Sequence, residues 1–357
     1  MNGLPTLYVN LSKIATNTRR LIELLSGQGI ELVAVTKVTL GDPNIARVLR
    51  ESGVRTIADS RIQNIERMKS DGINGPFMML RIPQVSELGR IVDLCEYVLV
   101  SELEVVEKIE QLCREKKRRV KLIYMVDVGD LREGVWYEYA VEEIAQAVRI
   151  CDWAEVCGVG TNLGCYGGVL PSEENMRTLL SVRDRVEKIV RRPLPIVSGG
   201  NTSALKLIEE GRLPEGVNQF RVGEAIYLGT DVTNNREIEW LEKDAFILEA
   251  EVIEVKTKPS VPVGETGFDA FGRRPVFVDR GWRKRAILAL GEQDTVPNHL
   301  KPLDGGAVVI HASSDHTILD ITDVERPIRV GDTVRFRLSY AALLRAMNCP
   351  HVEKVYV

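Results

Sequence analysis

The stretch Leu32-Val33-Ala34-Val35-Thr36-Lys37-Val38 decides how this chain folds. A short, valine-rich apolar run of this kind suits a strand covered on both faces, as in a parallel sheet. It ends in a single lysine, a residue type rarely buried in full. Two readings fit that lysine. Its stem packs while its ammonium reaches water. Alternatively, it sits in a partly dry pocket, gives up its proton and attacks a carbonyl to form an imine.

Outward from this run, short apolar segments alternate with helical patterns from residue 31 to roughly residue 230. The strands are read at Leu32–Thr36, Arg55–Asp59, Pro76–Arg81, Tyr97–Val100, Val120–Asp127, Glu155–Gly160, Leu194–Ser198 and Val217–Arg221. Between them, Asp42 caps a helix from Pro43 to Ser52, with the proline in its first turn. Ser101 is expected to cap a helix carrying Val105, Val106, Ile109 and Leu112 on one face. A long helix spans Glu173 to Val190. Repeated strand–helix–strand alternation predicts a parallel sheet, and a count of eight favours a closed (β/α)8 TIM barrel over a doubly wound sheet.

Beyond residue 235 the pattern changes. Phe246–Val255 alternates apolar and charged residues, and Val276-Phe277-Val278, Ala286–Leu290, Ala307–Ile310 and Thr333–Leu338 follow as strand-like runs between glycines. A helix is expected over Ala341–Met347. The fold class is therefore α/β: a barrel over residues 10–235 and a C-terminal antiparallel β domain over residues 236–357, which the strand-like Leu7-Tyr8-Val9 joins within residues 1–9.

A net charge of −4 argues against nucleic-acid or acidic-membrane partners. The basic run Lys116–Arg119 reads as a solvated helix end. No apolar run reaches membrane-spanning length, and Met1-Asn2-Gly3-Leu4-Pro5 lacks a secretory pattern, so a cytoplasmic protein is expected. None of the six cysteines forms a Cys-x-x-Cys pair, and the four histidines lack zinc-site spacing, so neither a disulfide framework nor a metal is expected.

Function in such a barrel lies at the carboxyl ends of the strands. Those ends carry Lys37, Asp59, Arg81, Ser101, Asp127, Asn162, Ser198 and Arg221. After strand seven, Ser198-Gly199-Gly200-Asn201-Thr202-Ser203 offers two glycines that let backbone amides approach an anion, in the region where barrels commonly bind phosphate. A capped turn is the plainer reading. Arg221 ends strand eight, where it either pairs with Glu224 or donates to a ligand. Asp127 and Arg132 flank the loop after strand five, where a surface ion pair is the plainer reading.

A lysine on strand one, an anion loop after strand seven and an arginine on strand eight suit pyridoxal 5'-phosphate, which needs an aldehyde partner, an anion cradle and a group at its ring nitrogen. On these residues the chain resembles, over nearly its whole length, the alanine racemase-like fold-type III pyridoxal phosphate enzymes. Its size, its second domain and Ser313-Ser314-Asp315-His316 look most like the ornithine or broad-specificity amino-acid racemase branch.

The resemblance implies that Lys37 binds the cofactor aldehyde. It implies a phosphate site of Ser198, Gly199, Gly200 and Asn201, with amides from Gly223 and Glu224. Arg221 would face the pyridine nitrogen and leave it unprotonated, which weakens the ring as an electron sink. Arg132 would lie near the ring oxygen and the substrate carboxylate. Asn162 falls where alanine racemases carry a histidine against the ring. Ser314 and Asp315 would reach the substrate carboxylate from the second subunit of a homodimer.

Two departures stand out. Gly41 occupies the place of a phosphate-binding tyrosine, and the segment Gly264–Gly272 lacks the tyrosine that serves alanine racemases as the opposite-face base. Racemisation through a Cα carbanion is simplest with two acid/base groups. Lys37 is one, and Asp269, Cys349 and Tyr340 are candidates for the other. A diamino-acid substrate such as ornithine or lysine needs a carboxylate for its distal ammonium. Asp130, Glu133, Glu224, Asp269 and Asp315 are available. The expected activity is amino-acid racemisation. The alternatives are decarboxylation on the same fold, a cofactor-free Schiff-base aldolase and a non-catalytic cofactor carrier. The second domain argues against the carrier. A metal-assisted aldolase or dehydratase is less favoured, because no metal-site spacing of histidines and cysteines is read near the C-terminus.

Overall fold

A computed structural model describes residues 5–357. The expectation that residues 1–4 lack a targeting segment, and their part in the N-terminal strand, lie outside the described residues. The chain divides into two compact units, Lys13–Glu242 and residues up to Ser12 with Lys243–Val357.

The first unit is a closed barrel of eight parallel strands: Glu31–Val35, Thr56–Asp59, Phe77–Met79, Tyr97–Val100, Lys121–Asp127, Glu155–Gly160, Ile196–Ser198 and Gln219–Val222. Each pairs with the next in sequence, and the eighth returns to the first with Gln219 opposite Glu31 and Arg221 opposite Val33. Side chains alternate across each strand, so one set faces the barrel interior and the other the surrounding helices. Val33, Val35, Ala58, Met78, Leu99, Ile123, Met125 and Cys157 form one buried apolar cluster. Gly158 is required where strands six and seven meet, because a Cβ there would lie 2.2 Å from the Ile196 carbonyl oxygen.

Local signals placed several helices well. Asp42 caps Pro43–Glu51 by accepting from the amides of Asn44 and Ile45. Glu173–Val190 opens on a capping box between Ser172 and Asn175. Other expectations are corrected. The helix Leu103–Lys116 begins at Glu102 with no side-chain cap, so Ser101 does not serve it. The first strand stops at Val35, and Lys37 opens a 3-10 turn, Lys37–Thr39, just beyond it.

The second unit is a mostly antiparallel sheet built on the long strand Phe246–Pro259, with Trp282–Leu288, Leu300–Pro302, Val308–Ala312, Thr317–Asp320 and Thr333–Leu338. Thr6–Val9 joins it, antiparallel to Phe246–Glu249 and parallel to Glu353–Tyr356. The expected strand at Val276–Val278 does not form, and Val276 and Val278 are exposed. The helix Tyr340–Asn348 matches the inserted helical stretch. No helix among the described residues is long and apolar enough to cross a membrane.

Candidate active site

Lys37 stands on a turn that is tied down around it. The Thr36 amide donates to the Ala58 carbonyl at 2.9 Å, and the amides of Thr39 and Gly41 donate back to the Thr36 carbonyl. The Thr36 hydroxyl donates to Asp59 at 2.7 Å. Asp59 also accepts from the Asn64 side chain and the Arg61 amide. Burial pushes the Asp59 carboxyl up in pKa, against the pull of these hydrogen bonds. Lys37 itself is half-buried, and its amine has no hydrogen bond or ion pair among the described residues. Gly41 closes the turn at φ +59°, and a Cβ there would lie 2.8 Å from the Asn64 carbonyl oxygen. The backbone therefore excludes a side chain at position 41.

Arg221 is 5% exposed. Its Nη1 donates to the Ser198 hydroxyl and carbonyl, and its Nη2 to the Thr161 carbonyl. Its Nε makes no hydrogen bond among the described residues. Burial lowers its pKa to about 10, which leaves it protonated at neutral pH. Ser198 in turn donates to Gln219 at 2.9 Å. The Ser198 hydroxyl is thus engaged inside the barrel by Gln219 and Arg221.

The loop that follows is shaped by its glycines. Gly200 has φ +124°, and a Cβ on Gly199 would press Val217 and Phe220 at 2.5 and 2.7 Å. The Asn201 side chain accepts from the Ser203 amide and hydroxyl, and donates to Asn162 and to the Leu163 carbonyl. The Thr202 hydroxyl accepts from the Ala225 amide, joining this loop to the turn after strand eight. The amides of Gly200, Asn201 and Gly223 have no partner among the described residues. Asn162 Nδ2 is buried without a hydrogen bond. Thr202 and Ser203 close the same loop, beyond the two glycines and Asn201. Glu224 accepts from the Thr230 hydroxyl at 2.7 Å and the Val232 amide at 2.9 Å, so it does not pair with Arg221. Burial pushes its carboxyl up to about 7.

Asp130, 1% exposed, accepts from the amides of Gly164, Cys165, Tyr166 and Val169 at 2.9–3.2 Å. It pins the loop that begins at Asn162, and these bonds fill the acceptor capacity a substrate ammonium would need. Arg132 is clasped by Glu133 through two hydrogen bonds. Burial opposes the arginine's charge, but Glu133 outweighs it and the pKa rises. Asp127 accepts from the amides of Gly129 and Leu131, so it shapes its own loop and makes no ion pair with Arg132.

In the second unit, Asp269 accepts from the Phe271 and Arg273 amides and from the Arg273 side chain. Burial works against its charge, yet the Arg273 hydrogen bonds prevail and hold it below the usual carboxylate range. Arg273 also binds Glu292, whose amide donates to the Ser313 carbonyl. Asp269 and the exposed Ser314–Asp315 turn are therefore linked within this unit. Ser314 donates to Asp315, whose pKa falls with that bond and with His316 at 3.1 Å. The Cys349 thiol is buried 3.6 Å from Asp294, and Tyr340 opens the last helix half-buried.

Residues 9–231 match the family described as alanine racemase, N-terminal domain. The chain belongs to the alanine racemase family. It is 55% identical to the lysine racemase of Thermotoga maritima over 99% of this chain and 98% of that protein. It is 36% identical to the ornithine racemase of Acetoanaerobium sticklandii, covering 98% and 99%. Among solved structures, the alanine racemase of Streptomyces lavendulae superposes with TM-score 0.78 at 18% identity, over 100% of this chain and 98% of that one. The expected class, an amino-acid racemase and hence an isomerase, stands. In this racemase-family barrel the hydrogen bonds join Ser198 to Arg221 and Asn162 to Asn201, while Asp130 turns out to be a loop anchor.

Proposed function

We propose that this protein interconverts the L and D enantiomers of lysine and ornithine, using pyridoxal 5'-phosphate held at the barrel mouth. The full-length likeness to a lysine racemase and an ornithine racemase carries this reading. The residues present fit the cofactor. The open amides of Gly200, Asn201 and Gly223, with the Thr202 hydroxyl, would hold its phosphate. The unpaired Lys37 amine would take its aldehyde, Arg221 Nε would face its ring nitrogen, and the orphaned Asn162 Nδ2 would donate to the ring's surroundings.

When bound, this cofactor supplies an aldehyde for the substrate amine and a conjugated ring that weakens the Cα–H bond. The chain's own groups do the rest. Lys37 would take and return the Cα proton on one face, and Arg221, a permanent donor, would favour an unprotonated ring nitrogen. Arg132, steadied by Glu133, is a ready cation for the substrate carboxylate. For the opposite face the candidates stay Asp269, held ionised by Arg273, Cys349, whose thiol is engaged with Asp294, and Tyr340. Asp130, committed to its loop, and Glu224, committed to Thr230, are ill-suited to the distal ammonium.

We further propose a cytoplasmic homodimer. All six cysteines are free thiols, as a reducing compartment favours. Val263, Phe268, Val276, Val278 and Trp282 are exposed apolar side chains on the second unit, which suits burial against another copy. Light scattering at twice the chain mass supports the dimer, and a fully active monomer refutes it.

The enzymatic test follows Cα exchange of L-lysine and L-ornithine in deuterated water by NMR, together with optical rotation. Lys37→Ala is expected to lose activity by about a thousandfold or more, since it removes both the covalent anchor and one base. Borohydride reduction should leave the pyridoxyl group on Lys37. Labelling of another lysine, or activity in a colourless protein, overturns the reading.

A further inference from the structure

Strand eight carries Gln219 and Arg221 two residues apart, on the same face of the strand. In the barrel register Gln219 stands between Ser198 on strand seven and Glu31 on strand one. The Thr56 hydroxyl donates to Glu31 Oε1 at 2.9 Å, and Gln219 Nε2 donates to Glu31 Oε2 at 3.2 Å. Ser198 Oγ donates to Gln219 Oε1 at 2.9 Å, and Arg221 Nη1 donates to Ser198 Oγ. These groups form one polar chain from strand two to strand eight, in the same barrel as the buried apolar cluster around Val33 and Met78.

Every bond in that chain has a forced direction. The Glu31 carboxylate only accepts, so the Gln219 amide must present its NH2 to Glu31 and its oxygen to Ser198. That oxygen takes the Ser198 proton, which leaves Ser198 lone pairs for Arg221. With the amide reversed, Ser198 would receive a hydrogen from Gln219, and its own proton would face a guanidinium that has no acceptor. A buried polar chain is tolerated only when each member is satisfied, and this one is satisfied in a single orientation.

We propose that Gln219, oriented by Glu31, is a positioning residue for Arg221: it makes the Ser198 hydroxyl an acceptor and thereby holds the guanidinium with Nε free for the ring nitrogen of the cofactor. This rests on the role given to Arg221 above. The near-isosteric Gln219→Met keeps the volume but breaks both amide hydrogen bonds. In Glu31→Gln combined with Gln219→Glu, the carboxylate placed at 219 accepts from Ser198 and from the amide placed at 31, so the chain is rebuilt.

The test titrates apoprotein with pyridoxal 5'-phosphate, followed by tryptophan fluorescence, and records the absorption spectrum of each loaded protein. Gln219→Met should bind about tenfold more weakly than the parent and shift the cofactor band, and the double variant should return to within about threefold of the parent. Parent-like affinity and spectrum in Gln219→Met would show that Gln219 only fills space and would overturn the proposal. Should circular dichroism show Gln219→Met unfolded, the double variant decides: affinity within about threefold supports the proposal, and a loss of about tenfold overturns it. A parent apoprotein that does not bind the cofactor overturns the functional reading itself, a result distinct from equal binding by parent and Gln219→Met.

Discussion

Replacing Asp130 by alanine removes one buried carboxylate and four charge-assisted hydrogen bonds at a stroke. The amides of Gly164, Cys165, Tyr166 and Val169 lose their shared acceptor, while the Gly167 amide keeps its bond to the Asp130 carbonyl. A hydrogen bond to a charged group contributes about 1.5–3 kcal/mol. Cys165 and Tyr166 are exposed, so water replaces the carboxylate for them, and two amides carry most of the loss. The expected destabilisation is about 3 kcal/mol, or roughly 6–12 °C in Tm for a unit of this size. Calorimetry measures the first figure, and hydrogen exchange of the peptide covering 162–169 should show protection lost in that loop. Asp130→Asn keeps one acceptor and should fall between the two. The reasoning is refuted if Asp130→Ala melts within about 2 °C of the parent with the loop's exchange unchanged. It is equally refuted if Asp130→Asn leaves stability intact and raises KM only for diamino acids, because the carboxylate would then face substrate.

Two further outcomes follow from the barrel. Gly41→Ala must place a side chain at φ +59° with its Cβ 2.8 Å from a backbone oxygen, so a loss of about 2–4 kcal/mol is expected in urea unfolding. Gly41→Tyr should be no better, and a stable Gly41→Tyr protein with tighter cofactor binding would show that the turn can rearrange. Glu224 has its folded-state pKa raised by burial to about 7, so the folded chain holds this proton more tightly than the unfolded chain. Its contribution to stability is fully present below the ordinary carboxyl range and is lost as pH rises towards 7, by up to about 3 kcal/mol. Glu224→Gln keeps an acceptor for Thr230, so its Tm relative to the parent should climb by several degrees between about pH 5 and pH 8. An equal difference at both pH values, read by scanning fluorimetry, would rule this out.

The strands of the barrel could be read because each is a short valine- and isoleucine-rich run between turn signals, and that is local information. The cap at Asp42 was local too: it lies within three positions of the amides it binds, whereas Ser101, read as a cap on the same grounds, is not one. Lys37, Arg221 and the two glycines after Ser198 were visible as unusual residue types at strand ends. What Ser198 does was not visible, since its hydroxyl is claimed by Gln219 and Arg221 from the neighbouring strand. Val276–Val278 misled for the opposite reason. It has the composition of a strand, but no partner strand pairs with it.

Sequence alone therefore determined that this chain is an eight-stranded α/β barrel followed by a β domain, because hydrophobic period and turn chemistry act between near neighbours. It also determined which side chains cap the strands. Tertiary structure alone decided which of those side chains are spoken for. Asp130 reaches amides 34 to 39 residues away, and Gln219 reaches Glu31 across 188 residues. A polar group's role depends on the donors and acceptors that surround it, and in a closed barrel these come from strands distant in the chain.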